Sequence, residues 1–214
     1  MTIAGSFSLP PGERLGQLLA AAGQSPLTPE QTRPFENYLA LLLRWNARVN
    51  LTAIRTEEGI LSRHFVESIA CARALPHEIA TLLDFGSGAG FPGLPIAICR
   101  PEIAVTLAES QGKKAAFLQE AVRTLGLSTR VHAGRAEDLG QRFDCVTLRA
   151  VDRMEQAVRA AAALVQTGGW LALLTTRSEI DAVCAAAGDG FTWAAPVPLP
   201  GSVERILALA ARKG

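Results

Sequence analysis

The residues best suited to chemistry gather in one stretch, Asp84-Phe85-Gly86-Ser87-Gly88-Ala89-Gly90-Phe91-Pro92-Gly93. Glycine turns tightly and lets a ligand approach the backbone. Three glycines in frame with an aspartate therefore suggest a turn built around a ligand rather than an ordinary connection. Nineteen residues past Gly90, the apolar run Thr106-Leu107-Ala108 ends on Glu109, whose carboxylate can accept hydrogen bonds from both hydroxyls of a ribose. Gly134-Arg135-Ala136-Glu137-Asp138 places small and acidic residues after a third apolar run, and Thr147-Leu148-Arg149-Ala150 closes a fourth. Such a set suits a nucleoside-like ligand.

Two cofactor classes compete for it. Gly88 to Gly93 reads G-x-G-x-x-G, the dinucleotide pattern, which is weak evidence alone. The frame D-x-G-x-G-x-G, starting at Asp84, is the pattern of S-adenosyl-L-methionine (AdoMet) sites. Phosphate binding calls for free N–H groups at a helix start. Pro92 removes one, and AdoMet has no phosphate to miss it. Glu109 serves either cofactor. Pro92 and the Glu137-Asp138 pair favour AdoMet over a non-catalytic NAD or nucleotide-binding module. Asp84, Glu137 and Asp138 are candidates to stabilise a sulfonium through the local field.

The elements that must position these residues follow from periodicity. Residues 13 to 75 read as helices. Thr28-Pro29-Glu30-Gln31 carries a capping box with proline at the first helical position. Phe35, Leu39, Leu42, Leu43 and Asn46 then follow helical spacing. A further helix is expected after Thr56, with the stripe Ile60, Leu61, His64, Phe65, Ser68, Ile69 and Ala72. From residue 80 the rhythm becomes strand, turn, helix. Strands are expected at Ala80 to Phe85, Ala104 to Ala108, Val131 to Ala133, Cys145 to Leu148 and Trp170 to Thr175. Helices are expected over Gly112 to Leu125, Met154 to Val165 and Glu179 to Ala187. That alternation implies a parallel sheet covered on both faces. Phe191 to Leu199 and Arg205 to Ala211, separated by Pro200-Gly201-Ser202-Val203, read as an antiparallel hairpin at its end. The expected fold class is α/β, a Rossmann-like AdoMet-dependent methyltransferase sheet. Residues 1–79 form a helical N-terminal extension and 80–214 the AdoMet-binding core.

Composition narrows the rest. A chain of 214 residues, 49% hydrophobic, can bury a core of its own. Lys+Arg 21 against Asp+Glu 20 leaves +1, which excludes a binder relying on diffuse polycationic attraction. All but three of the basic residues are arginine, the residue suited to phosphate and base recognition, although codon bias explains the same count. Cys71, Cys99, Cys145 and Cys184 are scattered without a C-x-x-C pair, against a zinc site or disulfide framework. The opening MTIAGSFSLPPGER lacks the charged and apolar regions of a signal peptide. No apolar run reaches the roughly 18 residues a membrane span needs. A cytoplasmic monomer without a membrane partner is expected.

Several strings together resemble one family closely: Asn50-Leu51-Thr52-Ala53-Ile54, Arg63-His64-Phe65-Val66-Glu67-Ser68, and the glycine loop continued through Phe91-Pro92-Gly93-Leu94-Pro95. Lys113-Lys114 with Phe117-Leu118, Gly134-Arg135-Ala136-Glu137 and Arg149-Ala150 complete the set. From about residue 35 to 177 the chain resembles the bacterial ribosomal small-subunit methyltransferase G family. The resemblance implies methyl transfer from AdoMet to N7 of a guanine in small-subunit (16S) ribosomal RNA. The partner is then the RNA or a pre-assembled small subunit. Carried over by position, it implies cofactor contacts at Gly86, Phe91, Glu109, Ala136, Glu137 and Arg149, beside the Asp84, Gly88 and Gly90 of the loop pattern. The chain departs from the family where Thr175-Thr176-Arg177 stands in place of the usual Lys-Gly.

The implied chemistry needs no general base, because N7 offers a lone pair and no proton, and no base constellation is evident. Holding the two reactants in line supplies roughly 7–11 kcal/mol of such a barrier. N7 is poorly accessible inside A-form RNA, so the target is expected unstacked. Phe91, Arg149 and Arg177 are candidates to hold it. His64 is read either as a packed core residue or as lying near the site. Asn50 and Thr52 cap the segment that follows or lie over the substrate entrance. Trp45 packs the helices or meets the base. Lys113-Lys114 are solvated or contact phosphate. Arg44, Arg48, Arg55 and Arg63 are a possible basic face that helical phase does not unite. Two rivals stand: an AdoMet-dependent methyltransferase of a small molecule, and the nucleotide-binding module.

Overall fold

The computed structural model describes residues 9–151 and 153–214. Residues 1–8 of the opening segment lie outside it. Four helical segments come first: α1 (Pro11–Ala21), α2 (Pro29–Asn46), α3 (Glu57–Gly59) and α4 (Val66–Ala74), the last two joined through a π-helical stretch, Ile60–Phe65. The Thr28 capping box forms as expected, its hydroxyl accepting from the Gln31 N–H while the Gln31 side chain accepts from the Thr28 N–H. Thr56 likewise caps the Glu57 helix through the Gly59 N–H.

The π-helical stretch departs from the expected stripe. Its wider turn re-phases the helix. Val66 and Glu67 are buried together with Phe65, Ser68 and Ile69. A regular 3.6-residue helix leaves Glu67 off that face.

The strands are β1 (Thr81–Phe85), β2 (Ala104–Ala108), β3 (Arg130–His132), β4 (Phe143–Arg149), β5 (Val165–Thr176), β6 (Phe191–Trp193), β7 (Val197–Pro198) and β8 (Arg205–Arg212). They form one sheet in the order β3-β2-β1-β4-β5-β8-β6, with β7 pairing β8. Pairs among β1 to β5 are parallel, and β8 runs antiparallel to β5, β6 and β7. The expected parallel core and antiparallel end are thus present. The expected hairpin is split into β6 and β7, and its second arm inserts between β5 and β6. Helices α5 (Gly93–Cys99), α6 (Gly112–Leu125), α7 (Met154–Leu164) and α8 (Ile180–Ala187) connect the strands, with a 3₁₀ turn at Ala136–Leu139.

Strand side chains alternate between faces, and the core divides accordingly. Leu82, Val105, Leu107, Cys145, Ala172, Leu174, Leu207 and Leu209 join α1, α2, α4, α5 and α6 in one apolar cluster. Leu83, Ala108, Val146, Leu148, Leu171, Leu173, Ala208 and Ala210 join α7 and α8 in the other. Residues of the N-terminal helices, from Leu15 to Leu75, are continuous with the first cluster. The sheet parity that builds this core also aims the polar residues. Asp84, Thr147, Arg149 and Arg205 fall on the face toward α4, and Thr175 falls on the face toward α8.

Candidate active site

A cavity of about 520 Å³ opens beyond the carboxyl ends of the parallel strands. The loop after β1 lines it through Gly86, Ser87, Gly88, Ala89 and Phe91. Glu109 after β2 and Arg149, Ala150 and Val151 at the end of β4 complete that side. Leu51 to Ile54, Arg63 and His64, from the N-terminal helices and their connection, form the roof.

The loop is held from beneath. Gly86 and Gly88 have φ of +70° and +56°, a region that L side chains enter only at a cost. A Cβ on Gly86 would also stand 2.8 Å from Val151 Cγ1. Asp84 lies opposite Thr147 in the β1–β4 register. Its Oδ1 accepts the Thr147 hydroxyl at 2.9 Å, and its Oδ2 accepts the Gly93 N–H at 3.2 Å. The carboxyl is 1% exposed. Burial pushes its pKa up to about 6 against the bonds from Thr147, Ser87 and Gly93. Asp84 therefore positions the loop rather than lining the cavity, and its carboxyl occupies the start of α5, where a phosphate would have to bind. Gly90 likewise lies off the cavity wall.

Glu109 stands at the wall, 6% exposed. Its two oxygens accept the Gly88 N–H (2.9 Å) and the Gln111 N–H (2.7 Å). Each keeps a further lone pair for a ribose hydroxyl.

The roof is a stack of aromatic rings. Phe91 lies against His64 with centroids 4.6 Å apart and against Tyr38 at 5.2 Å. The Tyr38 hydroxyl donates to the Ala89 carbonyl at 2.5 Å, tying α2 to the glycine loop. Asn46 Oδ1 accepts the Leu51 and Thr52 N–H groups and so fixes the connection that passes over the cavity. Thr52 Oγ1 accepts the Ile54 N–H and lies 2.8 Å from His64 Nε2. His64 Nδ1 is buried and, among the described residues, has no partner. Burial first, then the charges of Arg149, Arg63 and Arg205, lower the His64 pKa to about 3. The imidazole is neutral.

Beneath His64 lies a buried ion cluster. Glu67, 1% exposed, bonds Arg149 through one oxygen (2.7 Å) and Arg205 through the other (2.5 Å). Arg149 also donates to the Ser68 hydroxyl and the Arg63 carbonyl, which fixes its fork. A second cavity, about 250 Å³, adjoins the first and shares Arg63, Arg149, Ala150 and Val151 with it.

Of the residues singled out from sequence, Gly86, Gly88, Phe91, Glu109, Arg149, His64 and Thr52 come together on the first cavity, with Lys114 at its edge. Ala136 and Glu137 do not line it; Glu137 pairs with Arg135 outside. Asn50 bonds Arg55, and Arg177 turns to the Val203 carbonyl. Trp45 donates to Glu120 and packs on Phe117, and Arg44 pairs with the same Glu120, so both serve the α2–α6 contact. Sequence reasoning passed over Tyr38, Glu67, Thr147, Glu179 and the ion-pair role of Arg205. Tyr38 had a signal in its i+3 spacing from Phe35, and Glu67 and Thr147 stand inside strings already singled out. The four cysteines are free thiols, and burial pushes Cys71 and Cys99 up to about 12. No three His, Cys, Asp or Glu among the described residues could hold a metal. No helix there is long and apolar enough to cross a membrane.

The sheet order with its antiparallel end, and a glycine cradle backed by a carboxylate for ribose, define an AdoMet-dependent methyltransferase. A solved predicted O-methyltransferase from Agrobacterium tumefaciens shares the fold at TM-score 0.55 and 23% identity, over 69% of this chain and 81% of that one. The profile of the rRNA small subunit methyltransferase G family matches residues 31–189, and the chain belongs to that family. A relative of that name from Roseiflexus sp. (strain RS-1) is 39% identical, over 87% of this chain and 85% of its own. Another, from Chloroflexus aggregans, is 37% identical over 92% and 88%.

Proposed function

We propose that this protein transfers the methyl of AdoMet to N7 of a guanine in small-subunit (16S) ribosomal RNA. The observation that carries the cofactor reading is the placement of Asp84 and Glu109. The Asp84 carboxyl takes the Gly93 N–H at the start of α5, a donor that a phosphate would need, while Glu109 keeps lone pairs for ribose hydroxyls. A neutral ribose and a sulfonium suit the same groups. The cavity volume falls within the ~300–1,000 Å³ range of cofactor and ligand pockets.

Bound AdoMet supplies an electrophilic methyl on sulfur. Glu109 would hold the ribose, and Gly86 and Gly88 would let the cofactor approach the backbone. Arg149, pinned by Glu67, Ser68 and the Arg63 carbonyl, is a fixed side chain on the wall shared by the two cavities. The N7 lone pair forms the new C–N bond as the C–S bond breaks. No proton leaves N7, so the step asks for no base, and His64, with its pKa near 3, is a weak one. Positive charge passes from sulfur to the purine.

Residues 9–79 serve as a helical extension packed on the core that follows. The protein acts as a cytoplasmic monomer on the RNA within a small subunit or its precursor. The near-neutral net charge accords with recognition of a particular folded site rather than of phosphate in general. The test is to incubate the protein with methyl-labelled AdoMet and small subunits lacking the modification, then cleave the RNA specifically at N7-methylguanine. Label and scission at one guanine support the assignment. AdoMet binding without RNA label, in subunits and in naked RNA, moves the reading to a small-molecule methyltransferase.

A further inference from the structure

The second cavity has a feature that the cofactor reading leaves unused. Its lining brings Thr175, Thr176 and Glu179 together with Arg63, Arg149 and Arg205, Thr176 standing beside Arg205 in the β5–β8 register. The Thr175 and Thr176 hydroxyls both donate to Glu179 Oε2, at 3.0 and 2.9 Å. They saturate that oxygen and fix the plane of the carboxylate. Among the described residues no donor reaches Oε1. The other carboxylate of the cavity, Glu67, is consumed by two arginines. Glu179 thus offers one oriented acceptor oxygen to the cavity.

We propose that this cavity receives the acceptor base and that Glu179 reads its Watson–Crick edge by accepting the guanine N1–H and 2-amino N–H. The inference rests on the guanine-N7 reading above. Three observations converge on it. The cavity, about 250 Å³, is smaller than the ~300–1,000 Å³ that drug-sized ligands occupy and suits a single planar base. It meets the cofactor cavity along Arg149, Ala150 and Val151, so a base inserted there can present N7 to the shared wall. In guanine, N1 and the 2-amino group lie across the ring system from N7, so a base with N7 at the shared wall would turn them into the second cavity, which Glu179 lines and the cofactor cavity does not share. A carboxylate accepts only. Adenine, which presents an acceptor at N1, leaves it unpaired. The contact also strengthens during reaction, because methylation at N7 puts positive charge on the purine and makes N1–H a better donor.

The test uses small-subunit RNA ligated to carry either guanosine or inosine at the methylated position and assembled into subunits. Inosine keeps N7 and N1–H and lacks the 2-amino group. The wild-type protein should prefer guanosine by about tenfold to a hundredfold in kcat/KM. Glu179→Ala should lose that preference, both substrates falling to a common low rate. Glu179→Gln keeps an acceptor for the threonines and puts an amide donor against the guanine donors. It should fold normally and lose guanosine activity at least as severely. AdoMet affinity, read by calorimetry, should stay within about twofold in both, since Glu179 does not line the cofactor cavity. A wild-type protein blind to the 2-amino group, or a preference retained in Glu179→Ala, overturns the assignment while guanine methylation stands. Absence of N7-specific scission with guanosine and wild-type protein overturns the underlying reading and this inference with it.

Discussion

Replacing Glu67 by Gln is the sharpest perturbation of the structure. Glu67 is 1% exposed and carries Arg149, 10% exposed, on one oxygen and Arg205, 28% exposed, on the other. The neutral amide keeps the shape and removes the charge that both guanidinium groups face. Breaking a buried pair by neutralising one partner costs ~3–5 kcal/mol, because the remaining charge is buried without compensation. Arg205 reaches some water, and Gln retains one acceptor, so the low end, about 3 kcal/mol, is expected. In a chain of this length each kcal/mol lowers the melting temperature by ~2–4 °C, a fall of about 6–12 °C. Scanning calorimetry and urea unfolding, with the slope m checked for constancy, measure it. The loss should change little with added salt, since buried pairs are weakly screened. Arg149→Met should be costly alone and should cost less in combination with Glu67→Gln than the separate effects imply. A Glu67→Gln loss below about 1 kcal/mol, or strict additivity of the pair, refutes the reasoning.

Three further outcomes follow from the same geometry. The Asp84 carboxyl, with a pKa of about 6 against an ordinary 3.8, is favoured protonated by the fold. Its contribution is complete below about pH 4 and is lost as pH rises through 6. The two-unit shift amounts to about 3 kcal/mol, and urea unfolding from pH 4.5 to 7.5 should show that slope in wild type but not in Asp84→Asn. Gly93→Ala places a Cβ against Leu107 Cδ2 and 2.7 Å from Asp84 Oδ2. It should lower stability by ~1–3 kcal/mol and weaken AdoMet binding at least tenfold by calorimetry. His64, with its pKa near 3, should stay neutral between pH 5 and 8, and ¹⁵N chemical shifts of its ring should remain flat there.

Much of this protein was legible because it depends on local order. The Thr28 capping box, the helices Gly112–Leu125 and Met154–Leu164 and the strand Ala104–Ala108 follow from hydrophobic period and cap chemistry, which act over a few residues. The glycine loop, Glu109 and the end of β4 were found by motif spacing, because in a parallel sheet successive strands end on the same edge and bring such residues together. What sequence could not decide is where each side chain points and what already occupies it. Asp84 carries the AdoMet-type motif, yet cross-strand register gives its oxygens to Thr147 and Gly93. The π-helical stretch turns Glu67 inward, where parity along β4 and β8 delivers Arg149 and Arg205. Glu179 takes its orientation from hydroxyls three and four residues earlier, at a strand end that periodicity marks only as apolar. Local pattern determined the elements and the edge at which the site forms. Long-range register and one widened helical turn decided which charges meet there, because a charge pair joins residues distant in sequence and leaves no period in it.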